Sequence, residues 1–354
     1  MKNNYCIIMA GGIGSRFWPM STAEKPKQFL DILGVGKTLL QQTYERFATI
    51  CPKENIFIVT NQQYHGLVSE QLQISDEQII AEPQRRNTAP CIAYASYKIA
   101  QLNPDANLVV APSDHLILKE DAFRDIINLA FEKSSAEDCL ITLGIKPSRP
   151  DTGYGYIQFM EAAKEESPLI KKVKTFTEKP DHKLAREFLA SGDFYWNSGI
   201  FIWSLKSILA AMDTLLPEVS SLFKEGIDKY NTPEENGFIE KAYQQCKNIS
   251  IDYGIMEKAD NVFVVLSDFG WSDLGTWGSL YDNLSKNGND NAVIGKQVFL
   301  YDSSNCVVNI PDDKLVILQG LDDYIVVESN NTLLVCKKED EQKIKEMVSK
   351  INSN

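Results

Sequence analysis

The chain has 354 residues, 44% of them hydrophobic, and a formal net charge of −12. That size and composition suit one large globular domain with a smaller one, or two of middling size. The acidic balance argues against a general nucleic-acid or anionic-membrane surface, although a local phosphate pocket needs only a few basic side chains and backbone amides.

Tyr5–Met9 is a short apolar run ending in Ala10-Gly11-Gly12, a buried strand entering a tight turn. A helix is expected from Thr38 to Ile50, with Thr38 as N-cap. Ile56–Thr60 reads as a strand, 64–73 as a helix, Gln78–Ala81 as a strand and Thr88–Leu102 as a helix. Leu108–Ala111 reads as a strand, 121–134 as a helix and Cys139–Leu143 as a strand. This alternation indicates an α/β fold: a Rossmann-like mixed, mostly parallel sheet flanked by helices. Ligands in such sheets sit beyond the carboxyl ends of the strands, where both the Gly11–Gly14 turn and Ser113-Asp114 fall. One shared cleft is therefore expected from topology.

Beyond about residue 290 short strands recur every ten residues, at 315–318, 324–327 and 332–335, between acidic or Asn turns. They suggest a small stacked β coil, too short to bury a core of its own. Glu339–Ile351 reads as an amphipathic helix. The expected domains are 1–288 and 289–354. The acidic stretches 161–166 and 337–346 read as solvated faces. The seven cysteines are scattered without a Cys-x-x-Cys pair, which disfavours a disulfide framework or zinc site. No run approaches the roughly 18 apolar residues of a membrane span, so a cytoplasmic location is expected.

The strongest chemical signal is Ala10-Gly11-Gly12-Ile13-Gly14-Ser15-Arg16-Phe17-Trp18-Pro19, followed by Lys25-Pro26-Lys27-Gln28-Phe29. Glycines let the backbone approach a polyphosphate and offer their N–H groups to it. Arg16 and Lys27 add the fixed positive charge that a triphosphate needs. Two competing motifs fail. A dinucleotide fingerprint needs a third glycine where Phe17 stands, and a P-loop needs a glycine where Asp31 stands. Asp114, at a strand end in Pro-Ser-Asp-His, is suited to Mg²⁺, although read alone it is better taken as a turn or helix-capping aspartate. Glu178-Lys179-Pro180, read alone, is better taken as a surface strand end before a helix capped by Asp181.

These residues resemble the signature of the sugar-phosphate nucleotidyltransferase family, in particular its mannose-1-phosphate guanylyltransferase branch. The resemblance continues through Glu82–Pro90, Pro112–His115, Thr152–Ile157, Phe176–Pro180, Trp196–Gly199 and Trp271–Gly275, in order. It implies transfer of GMP from GTP to α-D-mannose 1-phosphate with Mg²⁺, by in-line attack of the sugar phosphate on the α-phosphorus. It implies that Asp114 and Asp273 share the metal. Gly11, Gly12, Gly14 and Ser15 would hold the triphosphate, with Arg16 and Lys27 as catalytic charges. Pro83, Asn87 and Thr88 are the implied base and ribose contacts, although Thr88 could instead cap the following helix. Glu178, Lys179, Asn197 and the Gly153 backbone are the implied sugar-phosphate contacts. His115, beside Asp114, either supports it or is structural. The same chemistry on a heptose or fucose 1-phosphate, and a non-catalytic nucleotide-sugar-binding subunit, remain alternatives. A dehydrogenase does not, because the fingerprint is missing. A homodimer through the tail is a further expectation. Some larger relatives carry a cupin-type isomerase domain. With the chain ending at Asn354 and no His/Glu metal cluster, isomerase activity is not expected.

Overall fold

The computed structural model describes residues 2–12, 14–161 and 167–351, so most of the stretch 161–166 expected as a solvated face lies outside it. The chain forms two compact units. One comprises Met1–Gly11, Thr43–Ser113 and Ile117–Trp271, the other Gly12–Gln42, Asp114–Leu116 and Ser272–Asn354.

The first unit is built on nine strands: β1 (Asn4–Ala10), β2 (Ile56–Asn61), β3 (Ile79–Glu82), β4 (Asn107–Pro112), β5 (Leu140–Ile145), β6 (Tyr156–Phe159), β7 (Ile170–Thr177), β8 (Phe194–Ser204) and β9 (Val262–Ser267). Their order is β3-β2-β1-β4-β8-β5-β9-β7-β6, and β6 also pairs with β8. β1 to β4 pair in parallel, as do β5 and β9. β8 lies antiparallel between β4 and β5, and β7 is antiparallel to β9 and β6. Nine strands less the two reversed ones leave seven pointing one way, the mostly parallel mixed sheet expected.

The central strands β1, β2 and β4 are buried over nearly their whole length, as strands covered on both faces must be. Alternate residues serve opposite layers. Tyr5, Ile7, Phe57, Val59, Leu108 and Val110 join a core with Ile92 of helix α1 (Thr88–Leu102). Helix α2 (Glu120–Ala136) packs on β4, β5, β8 and β9. Helices α3 (Leu205–Leu215), α4 (Pro217–Lys224) and α5 (Glu235–Gln245) bring Ile208, Val219 and Tyr243 to the same core as α1.

Because β8 is reversed, its first residues meet the carboxyl end of β5, with Asn197 paired to Gly144. A register shift between Thr142 and Gly144 marks this spot. A Cβ on Gly144 would come within 2.6 Å of Val264 Cγ2, so the crowded crossing requires glycine.

In the second unit the C-terminal strands form the expected coil, but not with a ten-residue repeat. Ala292–Ile294 stacks in parallel on Val307–Asn309, which stacks on Tyr324–Ser329. Gln297–Tyr301 stacks in parallel on Leu315–Gln319. Strands ten residues apart therefore lie in different sheets. Stacked partners are a full coil turn apart, as in Val307 beside Ile325. The last pair, Tyr324–Ser329 with Thr332–Lys337, is an antiparallel hairpin turning at Asn330 and Asn331, both at positive φ. Contrary to expectation, the coil has a small core of its own: Cys306, Val308, Ile310 and Val326. Its Val307, Ile325 and Leu334 also pack with Phe17, Ile32, Leu39 and Trp277. The expected terminal helix begins as a 3-10 stretch, Lys338–Lys343, and becomes α-helical only over Ile344–Ile351. All seven cysteines are buried and free. No helix among the described residues is long and apolar enough to cross a membrane.

Candidate active site

In the second unit the signature loop is shaped by Gly14. Its φ is +66°, and a Cβ there would come within 2.5 Å of Lys27 Cβ. Only glycine meets both demands. A Cβ on Gly12 would meet nothing within 4 Å; its carbonyl accepts from Gln28 Nε2 at 3.0 Å. Ser15, Arg16 and Phe17 form one 3-10 turn. Arg16 is exposed, and its Nε donates to Gln342 Oε1 at 3.1 Å.

Lys27 is only 4% exposed. Its ammonium donates to the carbonyls of Asp273 (2.9 Å) and Leu274 (3.0 Å) and pairs with Asp114 Oδ2 (2.8 Å). An ammonium has three hydrogens, so all are engaged. Burial pushes the Asp114 carboxyl up, but Lys27, His115 and its hydrogen bonds outweigh that and hold it below the usual value. Asp114 is therefore an anion near neutral pH. Asp273 Oδ1 accepts from Gly275 N at 3.0 Å, next to Leu274 at positive φ. Lys27 thus ties the Asp114 carboxylate to the peptide carbonyl of Asp273, whose own carboxylate is held by Gly275 N. Mg²⁺ is usually bound through one or two carboxylates plus phosphate oxygens and water, and the hard carboxylate oxygens of Asp114 and Asp273 are of that donor type. Among the described residues, no group of three or more His, Cys, Asp or Glu could hold a metal.

The first unit carries the other expected residues. Gly11 follows β1, and a Cβ on it would meet nothing within 4 Å. Pro83 follows Glu82, whose Oε1 accepts from Tyr243 OH at 2.8 Å. Burial pushes the Glu82 carboxyl up to about 7, against the pull of Tyr243 and Arg85. Asn87, at φ +70°, caps α1 by accepting from Thr88 N at 2.9 Å. Thr88 therefore does not cap that helix: its hydroxyl accepts from Ile251 N at 2.8 Å.

Gly153 N already donates to Asp151 Oδ1 at 2.8 Å. Glu178 and Lys179 follow β7 and pair at 3.1 Å; Lys179 is exposed and at positive φ. The Glu178 carboxylate lies where a Cβ on Gly155 would be, so Gly155 seats it. Asn197 Oδ1 accepts from Thr142 Oγ1 (2.8 Å) and Gly199 N (3.2 Å), and Nδ2 donates to Asp252 Oδ1 (2.9 Å). Thr142, Gly155 and Asp252 are not among the residues that the sequence marks for a role. Nothing in Ser250-Ile251-Asp252 singles out that aspartate, and its partner is 55 residues away.

Residues 5–289 match the family described as Nucleotidyl transferase, and 295–351 match the MannoseP isomerase/GMP-like beta-helix domain. The mannose-1-phosphate guanylyltransferase of Escherichia coli is 35% identical over 354 residues, covering 98% of this chain and 74% of that protein. The chain belongs to the mannose-1-phosphate guanylyltransferase family of nucleotidyl transferases. The alginate biosynthesis protein AlgA of Pseudomonas aeruginosa is 35% identical over 98% of this chain and 72% of its own length. The chain thus spans about three quarters of these relatives. A solved structure described as a mannose-1-phosphate geranyltransferase from Thermus thermophilus superposes with a TM-score of 0.89 at 29% identity, over 99% of both chains. All the motifs that carry the resemblance fall inside the nucleotidyl transferase match. The protein is an enzyme of that class.

Proposed function

We propose that the protein transfers GMP from GTP to α-D-mannose 1-phosphate, giving GDP-mannose and pyrophosphate. The observation that carries this reading is the buried Lys27 ammonium, bonded to both the Asp114 carboxylate and the Asp273 peptide. Such an arrangement suits a site that handles polyphosphate charge. The 35% identity to relatives bearing that name supports the choice of sugar and base.

An oxygen of the sugar phosphate attacks the α-phosphorus, and the bond from that phosphorus to the bridging oxygen breaks, releasing pyrophosphate. The attacking oxygen is already anionic, so no general base is needed. Positioning and charge neutralisation supply most of the acceleration. In this reading the N–H groups of Gly11, Gly12, Gly14 and Ser15 hold the triphosphate, and Arg16 adds charge. Lys27 exchanges Asp114 for a phosphate oxygen. Asp114 and Asp273 would hold Mg²⁺, which when bound would supply charge neutralisation for the leaving pyrophosphate. Pro83, Asn87 and Thr88 take the nucleoside, Lys179 the acceptor phosphate and Glu178 a sugar hydroxyl. The division at 288/289, a cytoplasmic location and a homodimer belong to the same proposal.

A coupled pyrophosphate-release assay tests it. With Mg²⁺ we expect the highest kcat/KM for GTP with mannose 1-phosphate, and turnover lost on chelation. Preference for a heptose or fucose 1-phosphate, or for another nucleotide, would overturn the assignment of substrates.

A further inference from the structure

Asn197 is almost used up within the protein. The backbone N–H of Gly199 on one end of its amide and the Asp252 carboxylate on the other fix which end is oxygen. Thr142 also donates to that oxygen. Of the four hydrogen-bonding positions on the amide, three are occupied, leaving one N–H. Asn197 is built to hold Asp252 more than to hold a ligand.

Asp252 opens a π-helical turn, Asp252–Met256, a distortion that recurs at functional sites. The turn stands on a firm base. Ile249 N donates to Arg86 O (3.3 Å), Ala89 N to Ile249 O (3.1 Å) and Ile251 N to Thr88 Oγ1 (2.8 Å). Ile251 and Ile255 are fully buried, whereas Asp252 itself is partly exposed. Its carboxylate accepts from Asn197 Nδ2 and from its own backbone N–H. A carboxylate offers about four acceptor sites, so capacity remains.

The charge of a second carboxylate, Glu178, acts on this group, with Lys179 paired to Glu178 at 3.1 Å, both on the segment after β7. Burial and the Glu178 charge push the Asp252 carboxyl up to about 7, against its own N–H, Asn197 and Lys179. A carboxyl perturbed by burial and by a neighbouring charge, next to a residue of the site, is a candidate functional group.

We propose that Asp252 binds ring hydroxyls of the sugar, beside Glu178, with Asn197 as its positioning residue. This rests on the assignment of Glu178 and Lys179 to the sugar phosphate. A site whose buried acceptors expect hydroxyls rejects ligands that lack them. Asp252 would then help decide which sugar is accepted, while Thr88, bonded to the residue before it, belongs to the nucleoside contacts.

The test is calorimetric titration of wild type and Asp252→Asn with GDP-mannose and with GDP, in Mg²⁺ buffer at pH 8 and pH 6. At pH 8 the variant should bind GDP-mannose about tenfold or more weakly, with GDP affinity kept, the scale set by an unpaired polar contact. Wild-type affinity for GDP-mannose should fall between pH 8 and pH 6 as Asp252 takes up its proton, and the variant should lose that dependence. Asp252→Ser, if the Asn variant is unstable, should show the same split. Equal GDP-mannose affinity in both proteins, or parallel losses for GDP and GDP-mannose, would overturn the role of Asp252. A wild type that binds GDP but gains nothing from the mannose would instead bring down the sugar assignment itself.

Discussion

Lys27 shows how much of a residue's chemistry is supplied by its neighbours. The basic pair Arg16 and Lys27 stands out in the sequence because glycine turns with that charge spacing suit polyphosphate. That all three Lys27 hydrogens are taken by partners up to 247 residues away does not. Lys27→Ala should therefore have two effects. Loss of a preorganised charge should lower turnover by on the order of 10² or more. It should also leave Asp114 without its partner, at a cost of about 3 kcal/mol, the lower end for a broken buried pair because the Asp114 side chain is 26% exposed. Steady-state kinetics and a thermal melt on the same preparation read both effects. Turnover within a few-fold of wild type would remove Lys27 from the mechanism. Thr88 is a second case: the sequence leaves it between a ligand contact and a helix cap, and Asn87, which caps the helix in front of it, takes the cap.

Among the elements, the first half of the chain is legible because local signals agree there. Apolar runs of strand length alternate with periodic helices, and caps such as Thr38 and Asp181 stand where expected. β8 is not legible, since its reversed insertion between β4 and β5 depends on pairings far away in sequence. That insertion brings Asn197 to Gly144 and Thr142. The turn before β6 is equally dependent on what crosses it. Gly155 is outside the left-handed region, so alanine suits its backbone, but the added Cβ would collide with the Glu178 carboxylate. Gly155→Ala should fold normally and displace Glu178. KM for mannose 1-phosphate should rise about tenfold, as for a lost hydroxyl contact, with KM for GTP unchanged. An unmoved Glu178 in a crystal structure of the variant, or an unchanged KM, would contradict this.

For the whole molecule, the coil exposes an apolar sheet face. Phe299 (49% exposed) lies beside Ile317 (62%), with Tyr301 and Leu315 next to them on the same two strands. Contiguous exposed apolar surface marks an interaction site, and two-fold pairing of like chains is the commonest way to cover it. Light scattering should give about twice the 39.9 kDa of one chain, and Ile317→Asp should return a monomer. A monomeric wild type would defeat the homodimer. By itself the sequence determined the class of fold, the family and the candidate residues, because glycine turns, charge spacing and hydrophobic periodicity act over a few residues and survive in linear order. The true coil repeat is hidden from such a reading, since up to the final hairpin successive strands in sequence alternate between two sheets. Tertiary structure alone decided which groups satisfy one another: Lys27 with Asp114 and the Asp273 peptide, Asn197 with Asp252, Glu178 against Gly155. Half-buried polar groups must find partners wherever the fold brings them, and no local pattern records that distance.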